Sequence, residues 1–261
     1  MKVSFVQMQI GMLDIKKNVE NAIKLMRKSN ADLIVLPELF NTGYNFKSNK
    51  EVLEVSEEIP EGYTTSKLKE FSKEKNVTIV YGLAEKTEKG LFNSLAVVSK
   101  GNYIGKYRKI HLFYEEKDFF LPGDLGFKLF EVDGVKLGVM ICFDWFFPES
   151  TRTLSLMGAD IICHPANLVM PYCPEAMKTI SLQNRVFVIT SNRVGEERGL
   201  KFIGQSQITG PDGNIIFRAS EEKEEIIEID IDPFKARDKN VNIKNNIFRD
   251  RKPEFYEILK R

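Results

Sequence analysis

Histidine is scarce in this chain, which contains only two, His111 and His164. Neither a histidine-based catalytic triad nor a histidine-rich metal site is readily assembled from so few. Cysteine is also sparse, because the 261 residues include only Cys142, Cys163 and Cys173. Their spacing does not match a zinc site, and so few cysteines in a long chain are typical of a reducing cytoplasm. We therefore expect a cytoplasmic protein with no metal and no cofactor.

An excess of charge of either sign is missing as well, since the formal net charge is +1. This balance gives no general attraction to nucleic acid or to an anionic membrane. The apolar runs are only as long as strands, so we expect no transmembrane helix. The chain opens directly on a predicted strand, Lys2 to Gln9, without the blocks of a signal peptide. The 29% of charged residues favours a thermophilic source.

What the chain does contain is an alternation of apolar strands and amphipathic helices. After the first strand, apolar residues recur at helical spacing from Ile15 to Met26. A second helix is predicted over residues 66–75. Further strands are predicted over residues 31–36, 77–84, 91–99, 103–107, 127–132, 136–141, 160–163, 186–191, 203–209 and 214–217. No linker, low-complexity segment or repeat divides the chain, so we expect a single α/β domain.

Cys142 stands at the end of one of these strands. The run from 135 to 141 is apolar and rich in β-branched residues, which is typical of a covered strand in an α/β sheet. Pro148 and Glu149 then open a helix, because proline is tolerated in a first turn and an acid suits the positive end of the helix dipole. Side chains at such strand ends line ligand crevices. On this segment alone, Cys142 is either a nucleophile or a small buried hydrophobe.

Two further segments carry candidate catalytic groups. An apolar strand is stopped by Pro37, which leaves Glu38 just past the strand end, in the same kind of position as Cys142. Taken alone, Glu38 is equally well a solvated loop acid or the partner of an arginine. The third segment is a basic cluster around Lys109, which by itself is typical of a charged surface.

Together the three groups fit one chemistry. A thiol is a good nucleophile only as the thiolate, and free cysteine has a pKa of about 8.5, so a nearby base or cation must help it ionise. Glu38 can be the base and Lys109 the cation. With these three segments, the sequence resembles the nitrilase, or carbon-nitrogen hydrolase, superfamily. The matching motifs are Leu36-Pro37-Glu38, Tyr107-Arg108-Lys109-Ile110-His111-Leu112, and Cys142-Phe143-Asp144 with Phe147-Pro148-Glu149.

These motifs occur in the family's order and at similar separations, and the similarity extends over nearly the whole chain. The resemblance implies a four-layer αββα sandwich, with two sheets face to face and helices outside. It also implies that Cys142 attacks a nitrile or carbonyl carbon, while Glu38 takes the thiol proton and later passes it to the departing ammonia or amine. Lys109 and the backbone N–H of Phe143 would hold the negative charge of the tetrahedral intermediate.

A second carboxylate often follows the lysine motif in this family. Glu116 is the best match and would orient Lys109 and the substrate or water, with the adjacent Glu115 as the alternative. Tyr44, on a glycine-containing loop, is a candidate for the substrate pocket, although packing on the surface is an equal alternative. Asn167 is expected to fix a loop by hydrogen bonding, as is His164, and a role in the pocket stays open.

The chain departs from the family pattern at Phe146, where many members carry an arginine. An apolar side chain there removes one possible anchor for a substrate carboxylate, because burying a carboxylate without a cationic partner costs several kcal/mol. Arg193 and Lys117 are alternative sources of that charge. Phe146 therefore enters the predicted pocket as a residue that favours short aliphatic nitriles over amides derived from dicarboxylates.

We therefore predict that residues 1–232 form a cysteine hydrolase of non-peptide carbon–nitrogen bonds in small molecules. An aliphatic nitrilase is favoured. The alternatives are an amidase resembling ω-amidase, an N-carbamoyl amidohydrolase, or an inactive relative that acts as a binding protein. Residues 233–261 form a polar extension with too few apolar side chains for an independent core. We expect this extension to be either solvated or, as the resemblance favours, an arm across a homodimer.

Overall fold

The computed structural model of this protein describes residues 1–260. Its α-helices are α1 (Ile15–Met26), α2 (Asn49–Val55), α3 (Tyr63–Lys75), α4 (Glu116–Phe119), α5 (Pro148–Leu156) and α6 (Tyr172–Asn184). Its strands are β1 (Lys2–Gln9), β2 (Leu33–Val35), β3 (Thr78–Thr87), β4 (Gly90–Ser99), β5 (Asn102–Arg108), β6 (Leu129–Val132), β7 (Val135–Val139), β8 (Ile161–Pro165), β9 (Phe187–Ser191), β10 (Arg193–Val194), β11 (Glu196–Glu197), β12 (Leu200–Lys201), β13 (Gln207–Thr209), β14 (Ile215–Arg218), β15 (Glu225–Ile226) and β16 (Ile229–Asp230). Short 3-10 helices cover Cys142–Phe146, Pro233–Arg237, Pro253–Phe255 and Glu257–Lys260.

Most of the strands belong to two sheets. The first sheet has the order β10-β1-β2-β3-β4-β5, with β15 and β16 paired to β1, and the second has the order β14-β13-β9-β8-β7-β6. The central strands are parallel in both sheets, namely β1, β2 and β3 in the first and β7, β8 and β9 in the second. Parallel neighbours require crossover connections. These connections contain α1, α2 and α3 in the first sheet, and α5 and α6 in the second.

The two sheets pack face to face with helices on the outside. Successive side chains of a strand point to opposite faces. On β1, Val3 and Phe5 join the core between the sheets, whereas Val6 and Met8 join the core under α1 and α3. The central core also contains β7, β8 and β9, together with buried residues of α5 and α6. The predicted single-domain αββα sandwich is therefore confirmed.

The first helix shows why the sequence signal was clear. Asp14 caps α1, because its carboxylate accepts a hydrogen bond from the Lys17 backbone N–H at 3.3 Å. Val19, Ala22 and Met26 are fully buried at helical spacing. The predicted bounds of α1 and β1 agree with the structure.

The structure differs from the prediction at helix α2 and in the segment 203–209. Helix α2 was not predicted, although Ser48 and Glu51 form a Ser-x-x-Glu signature at its start, and the Ser48 hydroxyl accepts from the Glu51 backbone N–H at 3.3 Å. The strand predicted over 203–209 is wrong in its first half, since only Gln207–Thr209 is extended and paired. Gly204 and Gln205 have φ values of 60° and 55°, in the left-handed region that a strand excludes.

The residues after 232 lie against the second sheet and its helices. Arg237 forms an ion pair with Asp160 at 2.9 Å, and the Lys239 ammonium donates to the carbonyls of Asn184, the last residue of α6, and of Arg185, which caps it. The guanidinium of Arg152 in α5 lies 5.8 Å from the ring centroid of Phe248. Within residues 1–260, none of the helices is both long and apolar enough to cross a bilayer.

Candidate active site

Glu38 lies just after β2, on a segment that continues alongside β3. Its side chain is completely buried. The Phe40 N–H donates to the Gly82 carbonyl at 3.1 Å, and the Gly82 N–H donates to the Pro37 carbonyl at 3.2 Å. A Cβ atom at Gly82 would lie 2.6 Å from the Glu38 Cα, so only glycine allows β3 to approach this closely. Glycine at position 82 thus allows the close contact that places the Glu38 backbone against β3.

Lys109 follows β5 and is also completely buried. Its backbone N–H donates to the Asn93 carbonyl of β4 at 2.8 Å, which continues the sheet by one more hydrogen bond. The Lys109 Nζ donates to Oε1 of Glu38 and to Oε1 of Glu116, each at 2.7 Å. Two carboxylates therefore hold one ammonium in place.

Cys142 begins the 3-10 helix that follows β7, in the left-handed conformation with φ of 38°. A non-glycine residue rarely adopts this conformation, and it is enriched at functional sites. Two buried groups hold the turn. The His164 Nε2 donates to the Cys142 carbonyl at 3.0 Å, and the Ile141 N–H donates to Oδ2 of Asp144 at 2.9 Å. The turn leaves the Cys142 side chain 6% exposed, at the end of the parallel strands.

Asp144 also connects the cysteine turn to the lysine segment. Its Oδ2 accepts from the Tyr107 hydroxyl at 2.8 Å, and its Oδ1 accepts from the His111 backbone N–H at 3.1 Å. Tyr107 and His111 stand two residues before and two residues after Lys109. One buried carboxylate thus ties together the segments that carry Lys109 and Cys142.

Glu116, rather than Glu115, reaches the buried lysine. Glu115 is exposed, whereas Glu116 is 4% exposed at the start of α4. Oε1 of Glu116 accepts from the Tyr44 hydroxyl at 2.8 Å as well as from Lys109, and its Oε2 accepts from the Phe113 backbone N–H at 3.3 Å. Tyr44 therefore lies at the site, one hydrogen bond away from the carboxylate that holds Lys109.

The Glu38 carboxylate has one occupied and one open oxygen. Oε1 accepts from the Asn93 Nδ2 at 2.7 Å in addition to Lys109. Oε2 is buried and has no hydrogen-bond partner among residues 1–260. Asn167 donates from Nδ2 to the Glu38 backbone carbonyl at 3.0 Å, so its visible role is to fix the loop. A buried oxygen left without a donor is costly unless it serves a function.

The buried charges influence one another. Burial raises the pKa of the Cys142 thiol well above its usual value, and the Glu38 carboxylate adds to this effect, while Lys109 opposes it. Burial acts to lower the pKa of Lys109, but the charges of Glu116 and Glu38 outweigh burial and raise it. Burial raises the pKa of Glu116, against the opposing charge of Lys109. The arrangement keeps the lysine charged and the cysteine protonated.

An apolar cavity lies over Cys142. Among the residues 1–260, no charged side chain lines it, and its walls include Phe113, Phe143, Trp145, Phe146, Leu168 and Met170. Phe146 is 56% exposed at the rim. Its ring centroid is 5.5 Å from that of Phe143. Arg193 is fully buried and paired with Glu197, so it does not supply a charge to this cavity.

Sequence reasoning did not find Asn93 or Asp144 as parts of the site. A signal for Asn93 exists, because the polar pair Asn93-Ser94 interrupts a mostly apolar strand, where a buried polar group needs a partner. His164 was assigned to a loop after a strand end, but it lies within β8. Its expected role in fixing a loop agrees with its hydrogen bond to the Cys142 carbonyl. In the described part of the chain, no group of three or more acids, cysteines and histidines is placed to hold a metal ion.

Comparison with known proteins agrees with this geometry. The family model for carbon-nitrogen hydrolases matches residues 2–239. A nitrilase from Pyrococcus abyssi is 54% identical over 258 residues, which are 98% of each chain. An N-carbamoylputrescine amidase from Arabidopsis thaliana is 30% identical over an alignment of 275 residues, which covers 94% of this chain and 91% of the plant protein.

Solved structures share the fold. The crystal structure of a carbon-nitrogen hydrolase from Helicobacter pylori superposes with a TM-score of 0.88 at 26% identity, covering 100% of this chain and 98% of the other. An amidase from Nesterenkonia sp. superposes with a TM-score of 0.83 at 21% identity, covering 99% and 96%. The fold and the matched family define a hydrolase that acts on carbon–nitrogen bonds. The chain belongs to the carbon-nitrogen hydrolase family, as its motifs predicted.

Proposed function

We propose that this protein is an aliphatic nitrilase, which converts a short nitrile into a carboxylic acid and ammonia. In this proposal Cys142 is the nucleophile, Glu38 carries the protons and Lys109 is the stabilising cation. The observation that carries the catalytic part is the open Oε2 of Glu38, whose other oxygen is bound to the buried Lys109. A carboxylate oxygen free to accept a proton beside a buried thiol suits general-base catalysis.

In the first step, Oε2 of Glu38 takes the thiol proton while the Cys142 sulfur attacks the nitrile carbon. The thiol is protonated at rest, since burial and Glu38 raise its pKa, so proton removal accompanies the attack. Glu38 returns the proton to the nitrile nitrogen, and a neutral thioimidate forms. One S–C bond is made, one C–N π bond is lost and the carboxylate is regenerated.

In the second half, Glu38 carries both protons of a water to the thioimidate nitrogen, the first as the hydroxide adds to the thioimidate carbon and the second, from the resulting hydroxyl, as the C–N bond breaks. Ammonia leaves and a thioester remains. A second water hydrolyses the thioester in the same way, which releases the acid and restores the thiol. The sum is one nitrile and two waters converted to one carboxylic acid and one ammonia.

Lys109 and the first turn of the 3-10 helix would stabilise charge during these steps. The Lys109 ammonium is fixed before the substrate arrives, so it loses little energy to reorganisation during the reaction. Phe143 is the second residue of the 3-10 helix, and N–H groups in a first helical turn have no acceptor within the helix. Glu116, held by Tyr44, would keep Lys109 oriented.

The lining of the cavity supports an uncharged substrate tail. A carboxylate buried against Phe146 and its neighbours would lack a cationic partner, at a cost of several kcal/mol. The 54% identity to the Pyrococcus abyssi nitrilase supports the nitrile over the amide. An amidase is the second candidate, because the same groups suit attack on an amide carbonyl and because N-carbamoylputrescine amidases are among the relatives.

The test measures ammonia release from a short dinitrile, a simple aliphatic amide, an N-carbamoyl amine and succinamate, a dicarboxylate monoamide. We expect the highest kcat/KM for the dinitrile, and Cys142→Ser serves as the blank. A tenfold or greater preference for succinamate would overturn the nitrilase assignment while leaving the hydrolase and its three residues in place. Stoichiometric labelling of Cys142 by iodoacetamide with loss of turnover would support the enzyme, whereas no turnover of any compound by the folded protein would favour an inactive binding protein.

The proposal includes a cytoplasmic homodimer from a thermophile. The three cysteines are free and buried, which suits a reducing compartment. Large apolar side chains in and near the extension are exposed, among them Ile243 at 99% and Phe255 at 77%. Exposed apolar groups of this kind favour a protein partner, and a second copy of the chain is the partner that we propose.

A further inference from the structure

The loop that carries Tyr44 is anchored to a short hairpin distant in sequence. Strands β11 and β12 pair antiparallel and place Glu197, which is 4% exposed, under the loop. Oε2 of Glu197 accepts from the backbone N–H of Tyr44 at 2.9 Å and from that of Asn45 at 3.0 Å. Asn45 returns a bond from Nδ2 to the Glu197 carbonyl at 3.1 Å. A single buried carboxylate thus holds two consecutive amides of the loop.

Glu197 is itself held from behind by Arg193. Arg193 is fully buried, and its guanidinium binds Oε1 of Glu197 and donates to the Ile10 carbonyl at 2.8 Å. The guanidinium also lies 4.1 Å from the ring centroid of Phe202, and the Tyr44 ring meets that ring edge-on at 6.2 Å. Charge-assisted and stacked contacts of this kind fix the position of an ion rather than leave it mobile.

The Tyr44 loop packs tightly against the Glu197 carboxylate. Gly43 has φ of 86°, and a Cβ atom there would lie 2.7 Å from Oε1 of Glu197. The hairpin and the loop together form one wall of a cavity that Tyr44, Glu116, Arg198 and Leu200 line. The hairpin that carries Glu197 therefore reaches the cavity beside Glu116, although Glu197 itself lies behind the lining.

We propose that Glu197 is a positioning residue for catalysis, which fixes the Tyr44 loop so that the Tyr44 hydroxyl holds Glu116 against Lys109. The connection begins at the Glu197 carboxylate, which binds the loop amides, and continues to the Tyr44 hydroxyl. This hydroxyl is 2.8 Å from Oε1 of Glu116, and the same Oε1 is 2.7 Å from the Lys109 Nζ. This inference rests on the proposed function, because Lys109 is its end point.

The test is a double-mutant cycle between Glu197→Gln and Tyr44→Phe. Glutamine has only one acceptor oxygen, so its NH2 group must face either the Arg193 guanidinium or the loop N–H groups, and the connection from Arg193 to the loop is broken at one end. We expect Glu197→Gln to lower kcat/KM at least tenfold when Tyr44 is present and less than twofold in Tyr44→Phe. Glu196→Gln, on the exposed face of the same hairpin, is the matched control and should lose less than twofold.

A pH profile separates positioning from a merely structural role. Glu116 faces Lys109, Glu38, Tyr44 and Cys142. The Tyr44 hydroxyl donates to the ionised form of Glu116, so loss of this bond raises the Glu116 pKa. Glu197→Gln and Tyr44→Phe should both move the acid limb of kcat/KM to higher pH. A lower rate with an unmoved limb would overturn the proposal.

The same double-mutant cycle can be measured without turnover, from the rate at which iodoacetamide alkylates Cys142. The Cys142→Ser variant serves as the blank. We expect Glu197→Gln to slow alkylation at least threefold when Tyr44 is present, and less than 1.5-fold in Tyr44→Phe. If Glu197→Gln slows alkylation in Tyr44→Phe as much as it does when Tyr44 is present, the inference is overturned. If the glutamine variant does not fold, Glu197→Asp, which keeps the charge but shortens the reach, is judged by the same criteria. A protein that releases no ammonia fails the proposed function, and the alkylation cycle still decides this inference.

Discussion

Lys109 donates from Nζ to Oε1 of Glu38 at 2.7 Å, and both side chains are completely buried. Removing one partner of a buried ion pair typically costs about 3–5 kcal/mol, because the other charge is left without compensation. Replacing either residue of this pair is therefore expected to lower the free energy of unfolding as well as the activity. Variants of either residue must be shown to fold before their activity is interpreted.

Replacement of the nucleophile should abolish turnover and leave the fold intact. We expect Cys142→Ala to release no more than trace ammonia, since alanine is small enough for this buried turn but cannot form a thioester. Cys163→Ala is the matched control, because Cys163 is equally buried but lies in β8, away from the cavity over Cys142, and it should stay active. Sustained ammonia release by Cys142→Ala would show that the covalent mechanism is wrong.

The shape of the cation should matter as much as its charge. Arginine in place of Lys109 is larger and spreads its donors over a planar fork, which does not match the two single acceptors around this fully buried position. We expect Lys109→Arg to lose about 10²–10³ in kcat/KM or more, close to the loss in Lys109→Ala. Thermal melting should show both variants folded. A rate near that of the unmodified protein for Lys109→Arg would mean that another group stabilises the intermediate.

His164 should make the protein sensitive to acid. Burial lowers the pKa of His164 from 6.5 to about 4, so between these values the unfolded chain binds a proton that the folded chain does not. The free energy of unfolding therefore falls as the pH drops from 6.5 toward 4, by on the order of 3 kcal/mol for this group. We expect denaturant titrations at pH 7 and pH 4.5 to show a smaller drop for His164→Gln.

Glutamine is the informative substitution there, because its amide can still donate to the Cys142 carbonyl while it does not titrate. Carboxylates that titrate in the same pH range contribute equally to both proteins, so the difference between the two isolates His164. Identical pH dependence in the two proteins would contradict the assignment of this effect to His164.

The extension should govern assembly. We expect the full-length protein to scatter light as a homodimer or a larger homo-oligomer, and deletion from Lys244 onward to weaken it. The deletion removes exposed apolar side chains such as Phe255 but retains the Arg237–Asp160 ion pair. A full-length monomer would refute the dimer. A dimer that survives the deletion would refute only the role of the extension.

Many local features were predictable from neighbouring residues. Helix α1 and strand β1 have their predicted bounds, because capping, periodicity of 3.6 and alternation are properties of consecutive side chains. The family and the αββα sandwich were predictable from three motifs in order. The strand over 203–209 failed because apolar composition does not reveal left-handed backbone at Gly204 and Gln205.

The sequence by itself thus determined the elements, the family and the residue types of the site. Only the tertiary structure decided which oxygen of Glu38 stays open, that Glu116 rather than Glu115 reaches Lys109, and that Glu197 anchors Tyr44. The reason is distance along the chain: Glu38 meets its donors Asn93 and Lys109 across 55 and 71 residues, and Glu197 meets Tyr44 across 153. Such contacts depend on the order of the strands in the first sheet and on how loops distant in sequence pack together, which no local pattern encodes.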